Sequence, residues 1–150
     1  MKNAIVQQIN ISKESQLNTY SVNSCEVVAN QGIIGDRYYK ETEDNEAAIT
    51  FIEQEALDAI QIDYGVTLSA AESRRTILTR GVALNHLVGK VFYVGEVQCE
   101  GFELAEPCSH LEKLTNKKNL IKSLRHRGGL RARIKSSGTI EVGQKITFSK

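Results

Sequence analysis

Apolar side chains in this chain recur at every second position, in short runs that glycines interrupt. A period of two places successive side chains on opposite faces of a strand, so a chain written this way folds mainly as sheet. Ile5, Gln7, Ile9 and Ile11 alternate with Val6, Gln8 and Asn10, which predicts an opening strand. Cys25, Val27 and Ala29 share one face of a second, and Gly32 and Gly35 then mark a turn region. Residues 47–51 read as a short buried strand and 75–79 as another. The stretch 90–104 reads as a hairpin turning at Gly95-Glu96, with Val97 and Cys99 facing one way and Glu96, Gln98 and Glu100 the other. Leu130, Ala132 and Ile134 alternate with Arg131, Arg133 and Lys135. Ser137-Gly138 makes a turn, and strands at 139–142 and 145–148 finish the chain on either side of Gly143-Gln144.

Helical spacing is rarer. Leu57, Ile60 and Tyr64 fall on one face of a helix predicted over 53–64, with Gly65 as its stop. Residues 82–88 suit a short helical turn ended by Gly89, and 109–114 and 119–124 suit two short helices. Ser109 could cap the first of these, with Glu112 completing a capping box. Many short strands, glycine turns and few helices predict a mainly β fold, a closed or nearly closed barrel, as one domain over 1–150. No internal repeat, low-complexity segment or linker is visible.

The remaining features narrow the function classes. No apolar run has the length of a membrane span, and the opening residues lack the pattern of a secretory signal, so the expectation is a cytoplasmic protein without a membrane partner. Three cysteines, Cys25, Cys99 and Cys108, make an odd count that suits free thiols better than a disulfide framework. The net charge is +1, so its distribution says more than its sum. Residues 41–46 are acidic. From Lys113 to Ile140 there is no acidic residue, and nine of the 19 Lys and Arg fall there. Such a run is either a solvated basic face or a site for a phosphate-bearing ligand. A nucleic-acid partner is the least supported reading, because aromatic residues are scarce there and no nucleic-acid motif is present.

Cys108 is the strongest candidate for chemistry. Thiolate is the reactive form of cysteine, and it needs access and positive surroundings. Cys108 follows the chain's one proline, Pro107, and stands just before a predicted helix, with His110 two residues on and the basic segment beyond. Cys25 and Cys99 lie on apparent inward faces and read as small core residues. A structural loop thiol is the plain alternative for Cys108. The paired spacings typical of structural zinc are missing, as is the G-x-S-x-G motif of a serine hydrolase.

Six segments, in order, resemble the MOSC family, named for the C-terminal domain of molybdenum cofactor sulfurases. They are Gly32 to Arg37, Glu72 to Gly81, Leu84-Asn85, Glu106 to Leu111, His126 to Ala132 and Gly138 to Gly143. The likeness is to short stand-alone bacterial members. The resemblance implies a mostly β barrel in which the loop cysteine is the functional residue. It implies binding of molybdenum cofactor with Cys108 on the metal, or carriage of sulfur as a persulfide on Cys108. Some members reduce N-hydroxylated compounds. An electron-donating reductase or a cysteine desulfurase would then be the partner, and pyridoxal phosphate binding is a family association only. For the phosphate of molybdopterin the arginines are the natural grip, since a guanidinium binds it bidentately. Arg37, Arg74, Arg75 and Arg127 are the candidates, with Asn85, His110 and Gly128 around them. Where family members often carry histidine after the G-D-R piece, this chain has Tyr38-Tyr39.

Overall fold

The computed structural model describes residues 3–14, 19–41 and 44–148. In chain order these form β1 (Ile5–Ile11), β2 (Tyr20–Val22), β3 (Ser24–Val28), β4 (Gly32–Ile33), β5 (Ile49–Glu53), α1 (Gln54–Tyr64) and α2 (Ala70–Ser73). Then come β6 (Ile77–Arg80), a 3-10 turn (Leu84–Leu87), β7 (Val91–Val94), β8 (Val97–Leu104), α3 (Ser109–Thr115), α4 (Leu120–Leu124), β9 (Leu130–Ile134), β10 (Gly138–Glu141) and β11 (Ile146–Thr147). The fold is mainly β, as the alternation requires. Thr42 and Glu43, within the acidic stretch, lie outside the described residues.

Eight strands form one sheet in the order β11-β7-β8-β9-β5-β6-β1-β2, and β10-β3-β4 form a second. The large sheet curls until β11, at one end, meets β1, the strand next to the other end. Val6 N–H donates to the Gln144 carbonyl at 2.9 Å, and Ile146 N–H donates to the Ala4 carbonyl at 2.9 Å. The chain around β11 thus lies along β1, so the strands from β1 to β11 make a closed ring. Closure leaves fewer unpaired sheet edges for other chains to pair with.

Two apolar clusters lie on the two sides of the barrel wall. Inside are Val6, Ile9, Ile49, Phe51, Ile77, Phe92, Cys99, Leu130 and Ile134, among others. Phe51 and Phe92 meet edge to face at the centre, their ring centroids 5.6 Å apart. Outside, Ile52 and Leu78 support Leu57 and Ile60 of α1, Leu111 of α3, and Leu120 and Leu124 of α4. Strand β5 is therefore buried on both faces, which explains its unbroken buried run Ile49-Thr50-Phe51-Ile52, in which only Thr50 is polar. It runs parallel to β6, and α1 and α2 are the crossover that a parallel pair needs.

The structure departs from the sequence reading at identifiable points. The alternation in β1 breaks at a bulge between Val6 and Gln8, so Val6 is buried while Ile5 is only half-buried. Tyr64 is exposed instead of sharing the buried face of Leu57 and Ile60, and its ring lies beneath Lys122 and Arg127. The capping box expected at Ser109 and Glu112 does not form. Cys108 occupies the N-cap position of α3, and Glu112 instead accepts the Ile121 N–H at 3.2 Å. A capping box forms at Ser69 and Glu72 of the unforeseen α2.

Phe51→Ala removes the ring at the barrel centre. It is expected to cost about 3–5 kcal/mol, read as a lower midpoint in urea denaturation.

Candidate functional site

Four neighbouring strands bring the site together. In the sheet β8, β9, β5 and β6 are consecutive. The segment leaving β8 (105–108), the turn entering β9 (125–129) and the residues entering β6 (74–76) therefore lie side by side.

Arg75 joins them. Its Nε donates to the Gly128 carbonyl at 2.9 Å, one terminal nitrogen to the Ala105 carbonyl at 2.7 Å, and the other to the Ser73 carbonyl at 3.2 Å. One guanidinium thus bonds the loop before Cys108 to the loop before β9. Burial pushes the Arg75 pKa down to about 10, with Arg131 adding to the fall and Tyr38 and Cys108 opposing it. Arg75 therefore stays cationic at neutral pH, and Cys108 lies within reach of its field.

The two loops touch directly as well. Gly128 is buried, and a Cβ there would run into the Ala105 carbonyl oxygen and come within 3.2 Å of Pro107 Cδ. The Glu106 carboxylate accepts the His126 N–H at 2.7 Å and meets His126 Nδ1 at 2.8 Å. His126 sits at a φ of 63°, a conformation that side chains other than glycine seldom adopt. Asn85 Nδ2 donates to its carbonyl at 2.6 Å, which holds that turn from the other side.

Cys108 itself is exposed, whereas Cys25 and Cys99 are buried. Burial pushes both of those thiols up to about 12, so each is neutral in the core at ordinary pH. Asp36 does turn duty, accepting the Ser12 N–H at 3.0 Å. It also meets Arg37 at 3.4 Å, and both side chains are almost wholly buried. The Arg37 guanidinium donates to the Arg74 carbonyl at 2.8 Å and lies 4.3 Å from the Tyr38 ring centroid. Arg74 takes a φ of 62° at the end of α2, and its guanidinium donates to the Glu14 carbonyl at 3.3 Å. Burial and the nearby Arg37 both lower its pKa.

The sequence candidates thus divide by position. Arg75, Gly128 and Asn85 hold the loops beside Cys108. The Arg37 side chain is buried against Asp36, with the half-buried Arg74 and the exposed Tyr38 beside it. Arg127 points elsewhere, donating to the Ser123 carbonyl at 2.7 Å and reaching Asp63 on α1 at 3.3 Å. His110 is exposed on the first turn of α3. Glu106 and His126, to which the sequence pattern assigns no role, tie the two loops together. The signal for Glu106 was its place directly before Pro107-Cys108.

The family model of the MOSC domain matches residues 38–147. The fold is similar to that of the YuaD protein from Bacillus subtilis, with a TM-score of 0.83 and 14% identity over 95% of this chain and 93% of that one. YiiM from Geobacillus stearothermophilus superposes with a TM-score of 0.77 and 18% identity, covering 98% and 75%. YiiM from Escherichia coli gives 0.71 and 13%, covering 99% and 69%. At these identities the likeness is one of fold. No curated protein matches the sequence.

A neutral alkylating reagent should modify native protein once, at Cys108, and urea-unfolded protein three times, as counted by intact mass. Arg75→Met strips three carbonyls of a charged donor and should cost at least about 2 kcal/mol of stability. Arg127→Gln breaks a surface ion pair and should cost under about 1 kcal/mol; both are measured by denaturant titration.

Proposed function

Since the chain belongs to the MOSC domain family, which is associated with molybdenum cofactor binding, we propose that it binds this cofactor with Cys108 as a ligand to the metal. The observation that carries the reading is an exposed thiol beside a cationic Arg75 whose guanidinium is locked onto three carbonyls. The residues present fit the group. Among the described residues no set of three His, Cys, Asp or Glu could cage a metal ion. A single soft thiolate is what a metal already held by dithiolene sulfur would still accept. When bound, the cofactor would supply a redox-active molybdenum and a phosphate.

The chain's own residues supply position and charge. Arg75 fixes the Cys108 loop by its hydrogen bonds and sets a positive charge near it. Gly128 lets that loop approach the turn before β9. Arg37 and Arg74 provide further positive charge for an anionic group, with Tyr38 where related chains often carry histidine. Arg127 and His110 would contribute only by their side chains turning toward the ligand.

The activity proposed for the loaded protein is reduction of N-hydroxylated compounds, in which two electrons and two protons convert N–OH to N–H and water. A separate reductase is the proposed electron donor, in the cytoplasm. A second reading rests on the exposure of Cys108. The thiolate attacks the outer sulfur of a cysteine desulfurase persulfide, takes that sulfur and releases the desulfurase thiol.

Protein made in a cofactor-producing host should carry molybdenum and pterin, and Cys108→Ser should lose most of both while keeping its fold. Equal metal in the two proteins would show that this thiol is not a ligand. A gain of one sulfur mass on Cys108 after incubation with a desulfurase would favour the carrier reading instead.

A further inference from the structure

A second feature lies along α3, away from the arginines. Ser109, Glu112, Lys113, Asn116, Lys117 and Lys118 line a hollow of about 250 Å³. Positions 109, 112, 113 and 116 fall on one face of a helix, so α3 forms one wall and its C-terminal turn brings in the last two lysines. Asn116 adopts a left-handed φ of 53° that ends α3 and turns the chain there.

Charge in the hollow is unbalanced. Lys117 pairs with Glu72 at 3.5 Å. The Glu112 carboxylate accepts the Ile121 N–H. Among the described residues Lys113 and Lys118 have no carboxylate within pairing distance. Two lysines without a carboxylate partner therefore line a concave surface together with Ser109, Asn116 and the paired Lys117, and the one carboxylate there, Glu112, is engaged by a backbone N–H. Elsewhere in the basic segment Lys122, Arg125 and Lys135 also lack a carboxylate partner among the described residues, but none of them lines the hollow, and the other cations are paired. Arg127 reaches Asp63, Arg131 reaches Glu103, and Arg133 meets Asp44, Glu46 and Glu100.

We propose that this hollow is an anion subsite for the phosphate of a small-molecule substrate whose reacting group lies at Cys108. Ser109 is the residue next to Cys108. From Ser109 to Asn116 the face runs about 10 Å, by the helical rise of about 1.5 Å per residue. That span suits one phosphate-bearing small molecule with its charged end on the lysines and its other end at the thiol. The proposal deepens the Cys108 reading. Anion binding is measured without cofactor, so the subsite and the metal ligand can fail separately.

Inorganic pyrophosphate is the probe, added at constant ionic strength to wild type and to the Lys113→Ala/Lys118→Ala double variant. Backbone amide shifts at 109–118 should move saturably in wild type, and the double variant should bind about tenfold more weakly, as loss of two charge-assisted contacts implies. A kinetic readout tests the link to the thiol. Dithiobis-nitrobenzoate is a dianionic disulfide; Cys108 thiolate attacks one of its sulfurs, a mixed disulfide forms and nitrothiobenzoate leaves. Its rate relative to that of neutral iodoacetamide should fall severalfold in the double variant, and pyrophosphate should slow it in wild type. Equal shifts with matched chloride, equal binding by the double variant, or an unchanged rate ratio would each overturn the proposal. So would binding confined to a long oligonucleotide, since that would make the run a nucleic-acid face.

Discussion

The site depends on one buried cation. Three backbone carbonyls from three separate segments end on the guanidinium of Arg75. Each of those carbonyls would otherwise be left without a partner in a place shielded from water, which is costly. Arginine suits the task because its planar fork offers donors in several fixed directions and keeps its charge when desolvated. A lysine could serve one carbonyl well but not all three. The same side chain thus ties the Cys108 loop down and sets a positive charge close to it.

Barrel closure makes that arrangement possible. The inner cluster around Phe51 and Phe92 and the outer cluster around Ile52, Leu57 and Leu124 clamp β5 from both faces. Strand β9 is hydrogen-bonded to β5 on one side and β8 on the other. Gly129, at a φ of 112°, takes the chain past the Phe51 carbonyl, where any Cβ would collide. The loop entering β9 is thus set by the wall of the barrel, and Arg75 and Glu106 then fasten the Cys108 loop to it.

Much of the fold was legible because the alternation reports burial directly. The hairpin at Gly95-Glu96 and the inward set Leu130, Ala132 and Ile134 are where the pattern places them. What escaped was non-local. A bulge in β1 shifts Val6 inward by one position, and no local signal marks it. Short strands such as β2 and β4 exist only because a neighbour pairs with them. At the site, Cys108 and the arginines were legible as residue types in motif order, with their coupling set by long-range contacts. Arg74 and Arg75 are adjacent in sequence, yet one reaches Glu14 and the other Gly128. The capping box was read at Ser109 and formed at Ser69, since the same spacing occurs twice and only tertiary packing selects between them.

Arg75 holds the Cys108 loop and the loop entering β9 as one unit. Amide hydrogen exchange on wild type and Arg75→Met addresses it most directly. Protection at 105–112 and 125–129 should fall together in the variant, while amides in β5, β8 and the body of β9 keep theirs. If both loops exchange as slowly in the variant as in wild type, the guanidinium is not what joins them.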